Sequence, residues 1–337
     1  MTLRVGVIGL GRAGRVHLDA WRAVGGVAVT ALCDPSEPVR QWARSAGLPV
    51  FAEVEEMLAR VPLDAVSICT PPATHAPVAI ACLERGLDVL CEKPLATSAR
   101  LALEMAQTAA RAERHLLLAT KFRHVPDLVA ARDLIATGEI GEPIAFEIHF
   151  ASMVDMTRRW NARQAQAGGG VIIDNGCHAF DLAAFLFGKI THVHATRLKP
   201  VQHLEVEDSA TVLVTGEQGV TGRLELSWSL EVGRDCYALV HGSGGSNGIG
   251  WRGSWVRLVG RSPREIGPGY DKSVAHQRMM EAFVGVVKGD CPPWITSAES
   301  LRAVAAVEAA YTSMRTGAWA PVRLASEVGP RRLAAGA

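Results

Sequence analysis

Short apolar runs alternate with segments of helical period through the first 120 residues of the chain. The apolar runs predict strands at 3–8, 27–33, 64–69, 87–91 and 115–120. The segments between them predict helices at 12–24, 53–60, 75–85 and 98–113. Strands that alternate with helices are typical of a parallel sheet with helices on both faces. The pattern therefore predicts a doubly wound α/β domain over residues 1–121, with Thr74 and Ser98 as helix caps.

The pattern changes after residue 121. One helix is predicted at 126–136, and residues 143–151 alternate between apolar and polar, as a half-buried strand does. Further strands are predicted at 190–199, 209–215, 220–230, 236–241 and 254–260, and two closing helices at 273–288 and 297–316. Glycine-rich turns join these strands, which predicts a second, α+β domain over residues 122–337 with a large, mostly antiparallel open sheet. We interpret the glycine-rich segment 242–248 as a flexible turn, because no helix follows it.

A glycine-rich turn, Gly9-Leu10-Gly11-Arg12-Ala13-Gly14, lies between the first strand and the first helix. In the spacing G-x-G-x-x-G the first glycine allows a tight turn, the second lets the backbone approach a pyrophosphate, and the third lets helix and strand pack closely. Asp34 follows the second strand, 20 residues after Gly14. It would accept hydrogen bonds from ribose hydroxyls and repel a 2′-phosphate, which favours NAD over NADP. Asp34 could instead be a turn residue, and nearby Arg40 leaves NADP open.

Two more strands end in polar or proline-rich segments. Glu92, Lys93 and Pro94 follow the strand at 87–91, and Thr70-Pro71-Pro72 with His75 follow the strand at 64–69. Ligands of open parallel sheets bind beyond the carboxyl ends of the strands. Lys93 is therefore a candidate catalytic group, although a solvated lysine at a strand end is the simpler interpretation of these few residues.

A second candidate site follows the glycines at 168–170, where a helix is predicted to begin near Ile172 or Ile173. Asp174 and His178 are four residues apart, so their side chains would be neighbours on one face. An acid beside a histidine can orient the ring and raise its pKa toward neutrality, which suits general acid–base catalysis. Asp174 could instead cap the helix, and His178 could be a packing residue. A metal site of Asp174, Cys177 and His178 is the weaker alternative, because no partner ligand has suitable spacing, and no metal is predicted.

Composition narrows the function classes. The chain has 337 residues, 48% hydrophobic and 20% charged, with a net charge of +1, which describes a soluble globular protein. No basic stripe indicates a nucleic-acid partner. Seven scattered cysteines without a C-x-x-C pair indicate a reducing compartment. No secretory signal and no apolar run of roughly 20 residues is present, so we expect a cytoplasmic protein without a membrane partner.

The combination of these motifs, in this order, resembles the Gfo/Idh/MocA oxidoreductases, named for glucose–fructose oxidoreductase and inositol dehydrogenase. The resemblance covers nearly the whole chain. It implies an N-terminal Rossmann domain, a C-terminal α/β domain with an open sheet, a nicotinamide cofactor, and a sugar, sugar-nucleotide or cyclitol substrate. It also implies that Lys93, Asp174 and His178 contact the reacting hydroxyl. The residues expected at the cofactor are Gly9, Leu10, Gly11, Arg12, Ala13, Gly14, Asp34, Thr70, Pro71, Pro72, His75, Glu92, Lys93 and Pro94.

The expected reaction is hydride transfer between nicotinamide and a secondary alcohol carbon, with His178 as base and Lys93 stabilising the alkoxide. Candidate contacts to substrate or nicotinamide are Arg123, Asp155, Arg159, Trp160, Asn161 and Asn175. Arginines there would suit a carboxylate or a diphosphate. Two alternatives stay open: a glycoside hydrolase that uses NAD for transient oxidation, and a non-catalytic NAD-binding sensor, against which the intact Lys93 and His178 argue. A broad apolar face on the second sheet would form a homodimer or homotetramer.

Overall fold

The first sheet has six parallel strands. The computed structural model describes residues 2–324, so the segment from 325 onward, where the sequence has no strong pattern, lies outside the described residues. The strands are β1 Leu3–Ile8, β2 Val27–Cys33, β3 Val50–Phe51, β4 Ala65–Ile68, β5 Asp88–Cys91 and β6 Leu116–Leu118. Their order is β3-β2-β1-β4-β5-β6, and every pair is parallel. Strand order reverses between β1 and β4, so a crevice opens beyond their carboxyl ends. The prediction of a doubly wound sheet is confirmed.

Five helices connect these strands: α1 Arg12–Arg22, α2 Glu37–Arg44, α3 Val54–Arg60, α4 His75–Glu84 and α5 Ala99–Ala112. The sequence did not predict α2, because Ala43 is its one buried residue and gives little periodic signal. The capping role of Ser98 is confirmed, since its hydroxyl accepts a hydrogen bond from Leu101 N at 3.3 Å. Thr74 occupies the N-cap position of α4 as predicted, but its hydroxyl donates to the Pro71 carbonyl and does not cap the helix.

The second sheet has nine strands: β7 Pro143–Ala151, β8 Ile190–Arg197, β9 Ser209–Gly216, β10 Thr221–Ser227, β11 Cys236–Gly242, β12 Gly245–Gly250, β13 Ser254–Leu258, β14 Arg264–Gly267 and β15 Ala320–Pro321. Their order is β14-β13-β12-β11-β7-β10-β9-β8-β15. β7 and β10 are parallel, whereas the other neighbours are antiparallel. The predicted large, mostly antiparallel sheet is confirmed.

The segment 242–248 is not a flexible turn. Its second half belongs to β12, which pairs with β11 on one side and β13 on the other. A Cβ on Gly248 would lie 2.4 Å from the Trp255 indole, and one on Gly245 would lie 2.5 Å from the Arg257 carbonyl oxygen. The glycines therefore allow close packing within a strand, which composition alone did not indicate.

Six helices belong to the second half of the chain: α6 Pro126–Ala136, α7 Gln164–Ala167, α8 Val171–Asp174, α9 Gly176–Phe187, α10 Lys272–Lys288 and α11 Ser297–Thr316. Both α9 and α11 pack against the second sheet. Within residues 2–324 no single helix is long and apolar enough to cross a membrane. One pair bent by 41°, 164–174 with 176–187, meets the length and composition test when taken together.

The face of the second sheet opposite α9 and α11 is not broadly apolar, contrary to the expectation from sequence. Arg223 lies in register with Leu213 on one side and Glu147 on the other, and it approaches Glu147 and Glu225 within 3.5 Å. Leu213 is 39% exposed. Charged side chains thus cover much of this face.

The long helix α10 returns to the first sheet. Its Met279, Met280 and Phe283 are buried against α1, where Phe283 meets the Trp21 ring edge-on at 5.7 Å between ring centroids. A division at residue 121 therefore separates the two sheets, although α10 completes the hydrophobic core of the first. This packing also carries the start of α10 toward the carboxyl ends of β1 and β5.

Candidate active site

The glycine turn has the shape of a phosphate cradle. Gly9 has φ +86°, a left-handed conformation that favours glycine, and a Cβ on Gly14 would lie 1.8 Å from the Gly9 carbonyl oxygen. A Cβ on Gly11, in contrast, would have no atom within 4 Å. Gly9 and Gly14 thus serve packing, while Gly11 leaves open space at the N-terminus of α1, whose first N–H groups have no partner within the helix. These features fit a pyrophosphate.

Asp34 ties the end of β2 to this turn. Its Oδ2 accepts a hydrogen bond from Leu10 N at 2.8 Å, and its Oδ1 accepts one from Ser36 N at 2.9 Å. The Arg40 guanidinium donates to the carbonyls of Asp34 and Pro35 and pairs with a glutamate on its own helix. Arg40 is therefore already engaged, and a carboxylate stands at the ribose end of the cradle. This arrangement favours NAD over NADP.

Glu92 anchors the segment that follows β5. Its carboxylate contacts His17 Nε2 at 3.0 Å and accepts a hydrogen bond from Lys93 N at 3.0 Å. Burial alone would raise the pKa of Glu92, but His17 and Lys93 outweigh it and hold the pKa below its ordinary value. The other ring nitrogen of His17 contacts the Ser67 hydroxyl at 2.7 Å. Glu92 is thus an ionised anchor beneath Lys93, and Lys93 is joined to Pro94 by a cis peptide bond.

His75 does not face the cofactor crevice, contrary to the sequence prediction. The residue is fully buried. Its Nδ1 lies 2.8 Å from the Pro94 carbonyl oxygen and its Nε2 lies 2.8 Å from the Thr70 carbonyl oxygen. His75 therefore connects the two loops that follow β4 and β5, and acts on a cofactor only through them. The hydroxyl of Thr70 is buried without a hydrogen-bond partner among the described residues, so it is free to bind a ligand.

Lys93 pairs with Asp174 across the two halves of the chain. Its Nζ lies 2.6 Å from Asp174 Oδ1 and 3.1 Å from the Asp174 carbonyl oxygen, and each side chain is about one-fifth exposed. Burial lowers the pKa of Lys93, but attraction to Asp174 outweighs burial and raises the pKa above its ordinary value. Lys93 is therefore a fixed ammonium donor. The expectation that Asp174 would orient His178 is wrong, because this carboxylate is committed to Lys93.

His178 stands on a separate helix from Asp174. The predicted single helix is broken at Asn175, between α8 and α9. The imidazole packs against the rings of Phe122 and Phe150, with centroids 5.2 and 6.2 Å away. Burial, followed by the positive charges of Lys93 and Lys121, lowers the pKa of His178 well below its ordinary value. The sequence predicted a raised pKa, which is wrong, but a neutral imidazole can still accept a proton.

Glu207 holds the start of α8, the helix that ends at Asp174, and sequence reasoning missed it. Its carboxylate accepts hydrogen bonds from Gly170 N at 3.1 and 3.2 Å, from Ile172 N at 3.0 Å, and from the Tyr311 hydroxyl at 2.8 Å. A Cβ on Gly170 would lie 2.0 Å from the Glu207 carbonyl oxygen. The glycine before α8 is thus required for this contact. No local pattern marks Glu207, because its partners lie far away in the sequence.

Arg123 is a structural residue and not a substrate contact. Its side chain is 3% exposed. It donates to Asp181 through Nε and Nη2, the latter at 2.8 Å, and through Nη1 to Glu299 at 2.8 Å and to the Trp294 carbonyl at 3.0 Å. Every guanidinium nitrogen is therefore used inside the protein. The sequence could not show this, because all three partners come from distant helices or loops.

The other predicted substrate contacts differ in their exposure and in their partners within the protein. Asp155 is exposed and accepts hydrogen bonds from the amide and hydroxyl of Thr157. Arg159 and Trp160 are exposed and Asn161 is half-buried, just before α7, which packs on the turn at 72–74 of the first domain. Asn175 donates to the Phe150 carbonyl at 3.0 Å. Their contact with a substrate stays a prediction.

Five aromatic rings form a wall beside His178, and the sequence did not single them out. Trp251 lies 4.8 Å from Tyr237 and 5.6 Å from Tyr270 between ring centroids, and it is 38% exposed. The hydroxyls of both tyrosines are buried without a hydrogen-bond partner in the described part of the chain. With Phe122 and Phe150, these rings give the site an apolar surface that also holds unsatisfied hydroxyl donors.

Three side chains approach one another closely enough to be considered as metal ligands. Donor atoms of His17, Glu92 and His276 lie within 4.8 Å of one another. Hydrogen bonds to Ser67, Glu92 and the Lys272 carbonyl already use both His17 nitrogens and His276 Nδ1. The alternative metal site of Asp174, Cys177 and His178 is also disfavoured. Burial raises the pKa of Cys177 to about 12, so the thiol is protonated and a poor metal ligand. The prediction that the chain holds no metal remains a prediction.

Comparison with known proteins gives matches over most of the chain. Residues 3–120 match the oxidoreductase family GFO/IDH/MocA, NAD-binding Rossmann fold, and residues 128–247 match the GFO/IDH/MocA C-terminal domain. The D-apiose dehydrogenase of Paraburkholderia graminis is 27% identical over 92% of this chain and 87% of its own length. The rhizopine catabolism protein MocA of Rhizobium meliloti is 28% identical over 91% of this chain and 93% of its own.

Solved structures agree with this assignment. The crystal structure of GenD2 from gentamicin A biosynthesis, in complex with NAD, is 27% identical, has a TM-score of 0.84, and covers 95% of this chain and 96% of its own. The glycine cradle and Asp34 occur within the matched NAD-binding domain, and Asp174 and His178 within the matched C-terminal domain. The chain therefore belongs to the GFO/IDH/MocA family of NAD-binding oxidoreductases.

Proposed function

We propose that this oxidoreductase transfers a hydride between NAD and a secondary alcohol carbon of a sugar or polyol. The observation that carries the proposal is the pairing of Lys93 with Asp174, with His178 within electrostatic range of Lys93, beyond the carboxyl end of a strand in the sheet that also carries the glycine cradle. A fixed cationic donor and a neutral base thus lie at the edge where open parallel sheets bind their ligands. The names of relatives support the substrate class, since they include D-apiose dehydrogenase and inositol 2-dehydrogenase.

The side chains divide the chemistry between them. The neutral imidazole of His178 accepts the hydroxyl proton as the carbon loses hydride and the carbonyl forms. The Lys93 ammonium donates a hydrogen bond to the same oxygen and stabilises its developing negative charge. Asp174 holds Lys93 in place and keeps it charged. When bound, NAD supplies the hydride acceptor, or in its reduced form the hydride donor.

The aromatic wall suits the same substrate class. A sugar or cyclitol ring has C–H groups on its faces and hydroxyls around its rim. The exposed Trp251 offers an apolar surface to such a face. The half-buried Tyr270, whose hydroxyl has no partner among the described residues, would donate a hydrogen bond to the rim. Arg159, Trp160 and Asn161 would complete the entrance.

The test uses two site variants and one matched control. Lys93→Met and His178→Ala should each lower kcat by about 100-fold or more, while the Kd for NADH, measured by fluorescence, stays within about threefold. Lys189→Met removes an exposed lysine that pairs with Glu217 away from the site, and it should leave both quantities unchanged. Activity is followed by NADH absorbance in both directions on cyclitols, sugars and sugar nucleotides. Wild-type turnover in both site variants would refute the assignment.

Assembly is part of the proposal. We expect a homodimer or homotetramer that forms through the open face of the second sheet, where Leu213 lies among charged side chains. Complementary charges across a two-fold axis suit such an isologous interface. A cytoplasmic location and the absence of nucleic-acid and membrane partners remain predictions from composition.

A further inference from the structure

A second lysine, Lys121, belongs to the site. It begins the short helical turn Lys121–His124 after β6, and both α9 and α10 pack against this turn. The next residue, Phe122, packs on the His178 ring. Lys121 is half-buried, and its charge acts on or is acted on by Glu92, Lys93, Asp174, His178, Lys272 and His276.

Lys121 has no fixed anionic partner. Its Nζ lies 5.4 Å from the centroid of the Phe122 ring, and no hydrogen bond or ion pair joins it to another residue in the range 2–324. The two acids nearby are already engaged, because Asp174 holds Lys93 and Glu92 holds His17 and the Lys93 amide. Charged groups that are withdrawn from water are normally paired.

The environment therefore disfavours the charged form of Lys121. Burial lowers its pKa to about 8, Glu92 opposes this, and Lys93 and Lys272 add to the effect. An anion bound against the ammonium would raise the pKa of Lys121 again and favour its protonated form. The ligand itself is then the missing partner of this charge.

We infer that Lys121 binds a carboxylate of the substrate, so that the polyol taken by this enzyme is a sugar acid. This inference rests on the proposed function, since it names the substrate class of the same site. One ammonium matches the single negative charge of a carboxylate. Bidentate recognition of a phosphate would need a free guanidinium, and that of Arg123, two residues later, is saturated by Asp181 and Glu299. The other lysine nearby, Lys272, lies within electrostatic range of Arg12 in the glycine turn, so we assign it to the cofactor side and Lys121 to the substrate side.

The kinetic test compares matched acids and neutral sugars: D-glucuronate with D-glucose, and D-galacturonate with D-galactose. We expect the acids to be preferred by the wild-type enzyme. Lys121→Met should raise KM for the acids about 30-fold or more and change kcat/KM for the neutral sugars by less than about threefold. Lys121→Arg, which keeps the charge, should recover most of the loss, and Lys189→Met should have no effect.

The binding test uses the complex with NADH and D-glucuronate, with calorimetry between pH 6 and pH 9.5. Kd should be constant below pH 8 and rise about tenfold per pH unit above it, because binding then requires proton uptake. D-Glucose binding should not depend on pH. Lys93 stays charged in this window because its pKa is raised, and His178 and His276 stay neutral because theirs are lowered. Glu92 stays ionised because its pKa is lowered. Since the pKa of Lys272 is also lowered, the measurement is repeated with Lys272→Met, which should keep the same pH dependence of Kd.

The outcomes separate this inference from the proposed function. The inference would be overturned if the wild-type enzyme turned over neutral sugars as efficiently as the acids or better. It would also be overturned if Lys121→Met lowered kcat/KM equally for both kinds of substrate. Either result would leave the oxidoreductase assignment in place. Glucuronate binding with the expected pH dependence supports the role of Lys121 even if that acid is not turned over. If the complex neither binds nor turns over any of these compounds while NADH still binds, the inference is overturned.

Discussion

Replacing Arg123 by methionine tests whether this residue holds the fold or the substrate. The guanidinium makes hydrogen bonds to Asp181, Glu299 and the Trp294 carbonyl, and its side chain is 3% exposed. Methionine fills similar apolar volume but leaves the Asp181 carboxylate buried without its partner. Breaking a buried pair from one side costs about 3–5 kcal/mol. At an m-value of about 3 kcal/mol per molar urea, the unfolding midpoint should fall by about 1–2 M.

The assay for this variant combines urea unfolding, followed by tryptophan fluorescence, with turnover of the best substrate per mole of folded enzyme. Arg123→Met with Asp181→Asn should be more stable than Arg123→Met alone, because the buried charge of Asp181 is then removed, while the more exposed Glu299 keeps its hydrogen bonds to Thr296. Lys189→Met, which breaks an exposed pair of similar length, should change the free energy of unfolding by less than about 1 kcal/mol. An unchanged midpoint together with a KM raised more than about tenfold would show that Arg123 contacts the substrate after all.

Three further predictions concern the cradle, the catalytic pair and the assembly. Gly11→Ala should keep its unfolding midpoint and weaken NADH binding about tenfold or more, whereas Gly14→Ala, whose Cβ would lie 1.8 Å from a carbonyl oxygen, should lose about 1–3 kcal/mol of stability; equal behaviour of the two would contradict the cradle. Asp174→Asn should lower kcat/KM about 100-fold. Because Asp174 raises the pKa of Lys93, the alkaline limb of the pH–rate profile should also move to lower pH; an unmoved limb would show that the pair does not control turnover. Leu213→Arg, next to Arg223 on the open sheet face, should shift the protein to smaller species in light scattering, and a monomeric wild type would refute assembly through this face.

Local sequence patterns were sufficient for most of the elements. The strands at 3–8, 27–33 and 143–151 and the helices at 126–136 and 297–316 have the predicted bounds, because a side-chain period of 2 or 3.6 depends only on neighbours in sequence. The glycine turn could also be identified from sequence, since its backbone conformation excludes other residues at Gly9. The strand β12 was not, because what makes its glycines necessary is the indole of Trp255 on the next strand.

The proposed catalytic side chains were named from sequence, but their partners were not. Spacing of four residues suggested that Asp174 serves His178, yet the break at Asn175 turns this carboxylate to Lys93, 81 positions away. The pKa of His178 moved in the direction opposite to the one expected. Desolvation and the fields of two lysines decide it, and both depend on how the two halves of the chain pack together.

The sequence alone determined the two sheets, the cofactor cradle at Gly9–Gly14 and the strand end that carries Lys93. These features follow from periodicity, from backbone sterics and from the rule that parallel strands present their carboxyl ends to a ligand. The tertiary structure decided which charges are paired: Lys93 with Asp174, Arg123 with Asp181, and Lys121 with no residue of the described chain. Pairing depends on distance and burial in space, which a one-dimensional pattern does not contain. The lack of an anionic partner for Lys121 is therefore visible only in the folded protein.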